Sequence, residues 1–165
     1  MAFAAAENRR TANPVDLVEH LAHQHDWSVE RASEDELTLL IAGEWTDYHV
    51  SVNWRGDIET VHVASAFDFK VPEFRQAEIY RLLAQINEQL WLGHFDFWAD
   101  DGLLMYRHGM PLAGSDLSVQ QCEALLSGAL ESCERYYQAF QFVVWAGKGS
   151  REALVSTMFN TEGQA

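Results

Sequence analysis

The chain reads as an α+β domain, an antiparallel meander sheet plus a C-terminal hairpin with three helices, in the order α-β(3-4)-α-β-β-α. Three observations predict it. Tyr48 to Trp54 alternates apolar and polar side chains between short turns, the period of a half-buried strand. Asp101-Gly102 sits between two aromatic and aliphatic runs, a strong hairpin signal because a two-residue primed turn needs φ > 0 at both central positions. From Val119 to Val143 apolar residues recur by threes and fours, the spacing of one long amphipathic helix.

The elements follow in order. Asn13-Pro14 opens the first helix: Asn caps, Pro suits the first helical position, and Asp16 favours the positive end of the dipole. Val15, Leu17 or Val18, Leu21 and Ala22 give its apolar stripe. His20 and His23 share a face, but two imidazoles with no third ligand nearby do not make a metal site. Ser28 to Arg31 forms a short strand, Ser33-Glu34-Asp35 turns, and Leu37 to Ala42 is a buried strand. Trp45-Thr46-Asp47 turns again into the strand that puts Tyr48, Val50, Val52 and Trp54 on one face. Arg55-Gly56-Asp57 reads as a hairpin turn, and Ile58 to Ala66 continues as a strand. Turns this short make the sheet antiparallel.

Phe67 to Val71 is expected to leave the sheet, and Pro72 to permit a second helix running to about Leu90. Ile79, Leu82, Leu83 and Ile86 line it. Asn87 lies on or beside that stripe, where it can fix the helix end or bond the adjacent strand. Gly93 stops the helix before the hairpin. With Asp101-Gly102 as the turn, Phe97 faces Tyr106, Phe95 faces His108 and Asp96 faces Arg107. One face carries Phe95, Phe97, Leu104 and Tyr106; the other carries Asp96, Trp98, Met105 and Arg107. Large apolar groups on both faces place the hairpin centrally, covered at least in part on each side. Ser118 and Gln121 have capping-box spacing ahead of the long helix, which is expected to pack along the sheet. Cys122 and Cys133 fall on it about 16 Å apart at ~1.5 Å per residue, too far for a disulfide; they read as small reduced core residues. Lys148-Gly149-Ser150 breaks the helix. Residues 1–12 read as a disordered lead-in, 13–147 as a single domain, and 148–165 as a tail with one short helix.

The formal charge of −14 repels phosphate backbones and anionic headgroups, and no basic patch offsets it. No nucleic-acid or membrane partner is expected. Export is not expected either, because Arg9-Arg10 follows the first small apolar stretch where a secretory signal has its positive charge in front. The expected compartment is the cytoplasm.

No nucleophile–base pair, metal set or phosphate loop can be placed, so neither an enzyme nor a cofactor is expected. Six tryptophans and nine phenylalanines are a heavy aromatic load, and aromatic residues anchor protein interfaces. Trp45, Trp54, Trp91 and Trp98 fall at strand ends or on strand faces. A sheet with helices on one side leaves its other face for a second subunit or an extended client. The candidate interface residues are Trp98, Met105 and Arg107, on the hairpin face opposite Phe95 and Phe97. The function expected is a non-enzymatic protein-binding module, chaperone-like or a regulatory adaptor, acting as a homodimer. The alternative is a small-ligand sensor with a pocket between sheet and helices, for which Asn53, His62 and His108 supply polar groups.

The run Asn87-Glu88-Gln89-Leu90-Trp91-Leu92-Gly93-His94-Phe95-Asp96-Phe97 resembles the YbjN family. So do Leu104 to His108, Met110-Pro111-Leu112, and Cys133 to Phe140. The likeness covers roughly Asn13 to Gly147 and is most specific in the second half. Members are described as bacterial sensory-transduction regulators. The resemblance implies a helix, a meander, a second helix, a hairpin and a third helix, a layout similar to the type III secretion chaperone fold. In that fold small acidic dimers bind extended segments of client proteins. It implies no catalytic residues.

Overall fold

The computed structural model describes residues 11–162, with the side chains of 11–158; most of the expected disordered lead-in lies outside the described residues. Along the chain come α1 (Pro14–Gln24), β1 (Ser28–Ser33), β2 (Glu36–Ala42), β3 (Asp47–Arg55) and β4 (Thr60–Lys70). A single 3-10 turn (Glu73–Arg75) leads into α2 (Gln76–Asn87), then β5 (His94–Trp98), β6 (Leu103–Pro111), α3 (Val119–Val144) and α4 (Ser150–Glu162). The strands form one antiparallel sheet in the order β1-β2-β3-β4-β6-β5.

Local chemistry sets the helix starts. The Asn13 side chain accepts from Val15 N at 2.9 Å with Pro14 at the first helical position. Ser118 and Gln121 form the reciprocal capping box of α3, at 3.0 and 2.9 Å. Asn87 acts at the end of α2, where its amide donates to Phe95 O at 2.9 Å and accepts from Phe95 N at 2.8 Å.

The core lies between the sheet and the helices. Leu37, Leu39, Tyr48, Val50, Val52, Val61 and Val63 point inward from the meander. They meet Val15, Val18 and Leu21 of α1, Ile79, Leu82 and Ile86 of α2, and the buried stripe of α3 that includes Cys122, Ala129, Cys133 and Phe140. Burial pushes the Cys122 thiol up to about 11 and the Cys133 thiol up to about 12, so both stay protonated and unreactive at neutral pH.

Three expectations change. The hairpin is not closed by a two-residue turn. Ala99 to Gly102 form a four-residue connection, with Gly102 N donating to Ala99 O at 3.2 Å and only Gly102 at positive φ (+64°). Phe95 therefore pairs with Tyr106, Phe97 with Leu104 and Asp96 with Met105. That register is two residues away from the one expected, and an even shift leaves every side chain on its expected face. Nor is the hairpin central: β5 is an edge strand. Finally, Phe67 to Lys70 stay in β4, because Phe67 and Phe69 continue the inward alternation and stack at 5.6 Å; the irregularity appears instead as a register shift against β6 between Ala66 and Lys70.

A fourth helix, α4, docks on α3 and α2. Ala153 is fully buried, Ser150 N donates to Glu78 Oε2 at 3.0 Å, and Gln85 Nε2 donates to Ser150 Oγ at 2.8 Å.

Candidate functional site

Strand parity divides the sheet cleanly. With the inward residues in the core, the outward face of the four inner strands is built from Thr38, Leu40 and Ala42 of β2, His49, Ser51 and Asn53 of β3, His62, Ala64 and Ala66 of β4, and Met105, Arg107 and Gly109 of β6. None of these side chains belongs to the core beneath the helices. Over this central stretch only Arg107 carries a full charge, in a chain that is 22% charged, while the same parity puts Glu36, Asp47, Arg55 and Lys70 on this side at the strand ends. A solvent face normally concentrates charge, whereas the centre of an interface is depleted of it and enriched in aromatic residues, Met and Arg.

Trp98, Met105 and Arg107 all lie on this outward face at its β5–β6 end. Trp98 is 46% exposed, but Met105 is only 5% exposed, although it lies outside the main core. It is the floor of the site and offers little surface itself. Its cross-strand partners are Asp96 and Ala66, and a polar cluster extends beside it. Arg107 Nη1 pairs with Asp96 Oδ2 at 3.2 Å, Trp98 Nε1 donates to the same oxygen at 3.3 Å, and the guanidinium lies 5.8 Å from the Trp98 ring centroid. Arg107 Nε donates to His62 Nε2 at 3.3 Å. The indole and guanidinium are thus held in place before any partner arrives, which lowers the ordering cost of binding.

The same cluster titrates. His62 sits below the usual imidazole range, first because burial disfavours its charged form and then because Arg107, His94 and His108 add positive charge around it. Asp96 is held below the usual carboxylate range: burial opposes ionisation, but the bonds from Arg107, Trp98 and Phe97 outweigh it. For His62 the unfolded chain takes up the proton first as pH falls. Its contribution to stability is complete above about pH 6.5 and is lost as pH falls through the lower folded value. Urea midpoints measured between about pH 7.5 and 5.5 should therefore decline, and His62→Gln should flatten that decline.

β5 is flanked by Trp91, one of the four tryptophans expected at strand ends or on strand faces, and by Leu92 and Tyr80, which the sequence does not single out. Trp91 is 99% exposed, Leu92 68% and Tyr80 50%. Tyr80 meets Phe97 edge-on at 5.5 Å, which fixes its side of α2 beside the strand. The Trp91-Leu92 turn is held from below: Tyr106 Oη donates to Leu92 O at 3.3 Å, and a Cβ on Gly93 (φ +68°) would collide with the Tyr106 phenol. The free edge of β5 is closed to strand pairing at Phe95, whose N–H and C=O are both taken by Asn87, and at Phe97, whose N–H goes to Asp96 Oδ1 at 2.9 Å.

The polar groups suggested for a ligand pocket do not converge. Asn53 pairs with His62 on the outward side, whereas His108 pairs with the inward Val63. Two open depressions of about 450 and 350 Å³ lie at the β5–β6 loop around Ala99 to Asp101, not between sheet and helices. Aromatic rings fill the interior there, with Phe67, Phe95 and Phe140 centred 5.2–6.0 Å apart. Among the described residues no group of three or more His, Cys, Asp or Glu side chains is arranged for a metal ion, and no helix is long and apolar enough to cross a membrane.

Residues 14–142 match the family model of YbjN, described as "Putative bacterial sensory transduction regulator". The chain belongs to the YbjN family. The match ends inside α3, so α4 lies beyond it. Comparison with curated proteins finds no match. Among solved structures, this YbjN chain is similar to one described as "Crystal Structure of the ExsC-ExsE Complex", with 19% identity and a TM-score of 0.50, over 73% of this chain and 88% of that one. At that identity the likeness concerns the fold, which is similar to a secretion-chaperone fold.

Proposed function

We propose that this YbjN chain is a non-enzymatic, cytoplasmic protein-binding module, chaperone-like or a regulatory adaptor, which acts as a homodimer and takes another polypeptide on the outward face of its sheet. Residues 13–147 are the working domain, and the segment from 148 onward is an appendage to it. The observation that carries the reading is the uncovered, charge-depleted outward face with Trp98 and Arg107 at one end and Met105 as its floor. Family membership and the chaperone-like fold support the same class. Self-association is assigned to the β5 flank, where Tyr80, Trp91 and Leu92 stand in solvent; exposed large apolar side chains along one edge strand favour a contact surface.

Light scattering at micromolar concentration should give a mass near twice the 18.8 kDa of one chain. Trp91→Asp should return it to one chain mass with an unchanged melting temperature, since that ring buries nothing in the subunit. Trp98→Asp should leave the mass doubled and weaken capture of a protein partner by roughly tenfold or more, the ~1.4 kcal/mol scale of one interface anchor. Wild-type behaviour in both variants would remove the assignment. Met105→Asp does not serve as a test, because a charge at this buried position acts on folding.

A further inference from the structure

The outward face is rimmed by acid along its β1 side and at both strand ends. Glu36 lies at one end of the sheet on β2 and Asp47 at the opposite end on β3, paired with Asn53 and Ala42 respectively. Glu30 borders the face on β1 opposite Thr38, and Asp100-Asp101 border it beyond Trp98. All are exposed, and none forms an ion pair with a described residue. Of the cations on the same side, Arg107 is committed to Asp96 and Arg55 to Asp57, which leaves Lys70, beside Asp100-Asp101 at one strand end, against five carboxylates. The centre is nearly neutral and made largely of small side chains, Thr38, Ser51, Ala64 and Ala66.

We propose that the occupant of this face is a polypeptide segment with small or apolar side chains in its middle and Lys or Arg on both flanks. The inference rests on the protein-binding reading above and names the partner's chemistry. A second copy of this chain does not fit the same face: stacking two such surfaces would press two acidic rims together, on chains that each carry −14. An unlike segment with basic flanks places each cation beside a carboxylate lacking a described ion-pair partner and its uncharged middle over Ala64 and Ser51.

The test is calorimetric titration of the full chain with a synthetic Ala/Leu peptide flanked by lysines, and with its counterpart flanked by glutamates. The lysine peptide should bind, weaken by roughly tenfold or more between about 50 and 500 mM salt, and bind about tenfold more weakly to the rim-neutral variant Glu30→Gln/Glu36→Gln/Asp47→Asn/Asp100→Asn/Asp101→Asn. The glutamate peptide should give no heat. Ala64→Asp separates docking from plain attraction to an acidic protein: it adds negative charge yet should weaken binding by obstructing the face. Circular dichroism melts must match wild type for both variants. Equal binding of the two peptides would overturn the charge assignment while leaving the protein-binding reading intact. Stronger binding by Ala64→Asp, or no binding by the lysine peptide, would overturn the inference outright. The protein-binding reading fails separately, through the Trp91 and Trp98 variants.

Discussion

Phe95→Ala is expected to lower the stability of the chain by about 3–5 kcal/mol, the range for truncating a fully buried aromatic residue. The effect should be at the upper end because this ring joins three parts of the core. It packs against Phe67 of β4 at 6.0 Å, Tyr106 of β6 at 5.5 Å, and Tyr136 and Phe140 of α3 at 5.8 and 5.2 Å. Its removal leaves a cavity lined by rigid rings that cannot collapse into it without leaving their own contacts. β5 has one strand neighbour, β6, so the loss falls on the element that carries Asp96 and Trp98. Urea unfolding checks it: the midpoint should fall with little change in slope. A shift equivalent to under about 1 kcal/mol would mean the ring cluster does not bear on stability as described.

Asn87→Ala is expected to cost about 2–3 kcal/mol, the scale for leaving buried backbone groups without partners. The side chain substitutes for a missing strand: it meets the outward N–H and C=O of Phe95 at once, at 2.8 and 2.9 Å. Deleting it leaves both groups in a half-buried edge beneath α2. Asn87→Asp keeps the acceptor for Phe95 N–H and loses the donor to Phe95 C=O, so it should fall between wild type and alanine. Amide exchange should locate the effect, with the Phe95 N–H losing protection in Asn87→Ala while the amides of β2 and β3 keep theirs. Uniform loss across the sheet would point to global destabilisation and not to release of the edge.

The helix starts, the meander and the inward faces were legible in the sequence because each rests on local rules. Asn13-Pro14 and the Ser118–Gln121 box state where helices begin, and two-residue periodicity in Tyr48 to Trp54 states which side is buried. Asn87 was readable as a residue that bonds the neighbouring strand, since an amide beside an apolar stripe at a helix end has few other uses. Hairpin register was not legible: Asp101-Gly102 suggests a two-residue turn, but Gly102 alone adopts positive φ, and the longer connection depends on where Val71 N finds Gly102 O, at 2.9 Å. The edge position of β5 was hidden for a related reason. Apolar residues on both faces ordinarily mean coverage on both faces; here Met105 is screened within its own sheet and Trp98 is left half in water.

The outward face could be inferred from parity, but its depletion of charge emerges only when residues from separate strands are brought together. His62 and His108 show the converse. Both seemed available to one pocket, and pairing with Gly109 and Val63 sends them to opposite sides. The exposure of Tyr80 and Leu92 had no signal in the sequence, because an apolar residue at the boundary of a helical stripe looks the same whether or not the subunit covers it.

The most direct test of the central claim, that the bare side of the sheet receives another polypeptide, is photocrosslinking in the native cell. A photoreactive phenylalanine analogue replaces Ser51, at the middle of the outward face, or Glu131, on the exposed side of α3. The account predicts an adduct with an unlike polypeptide from position 51 and none from position 131. Adducts only from position 131, or none from position 51 beyond a second copy of this chain, would contradict it.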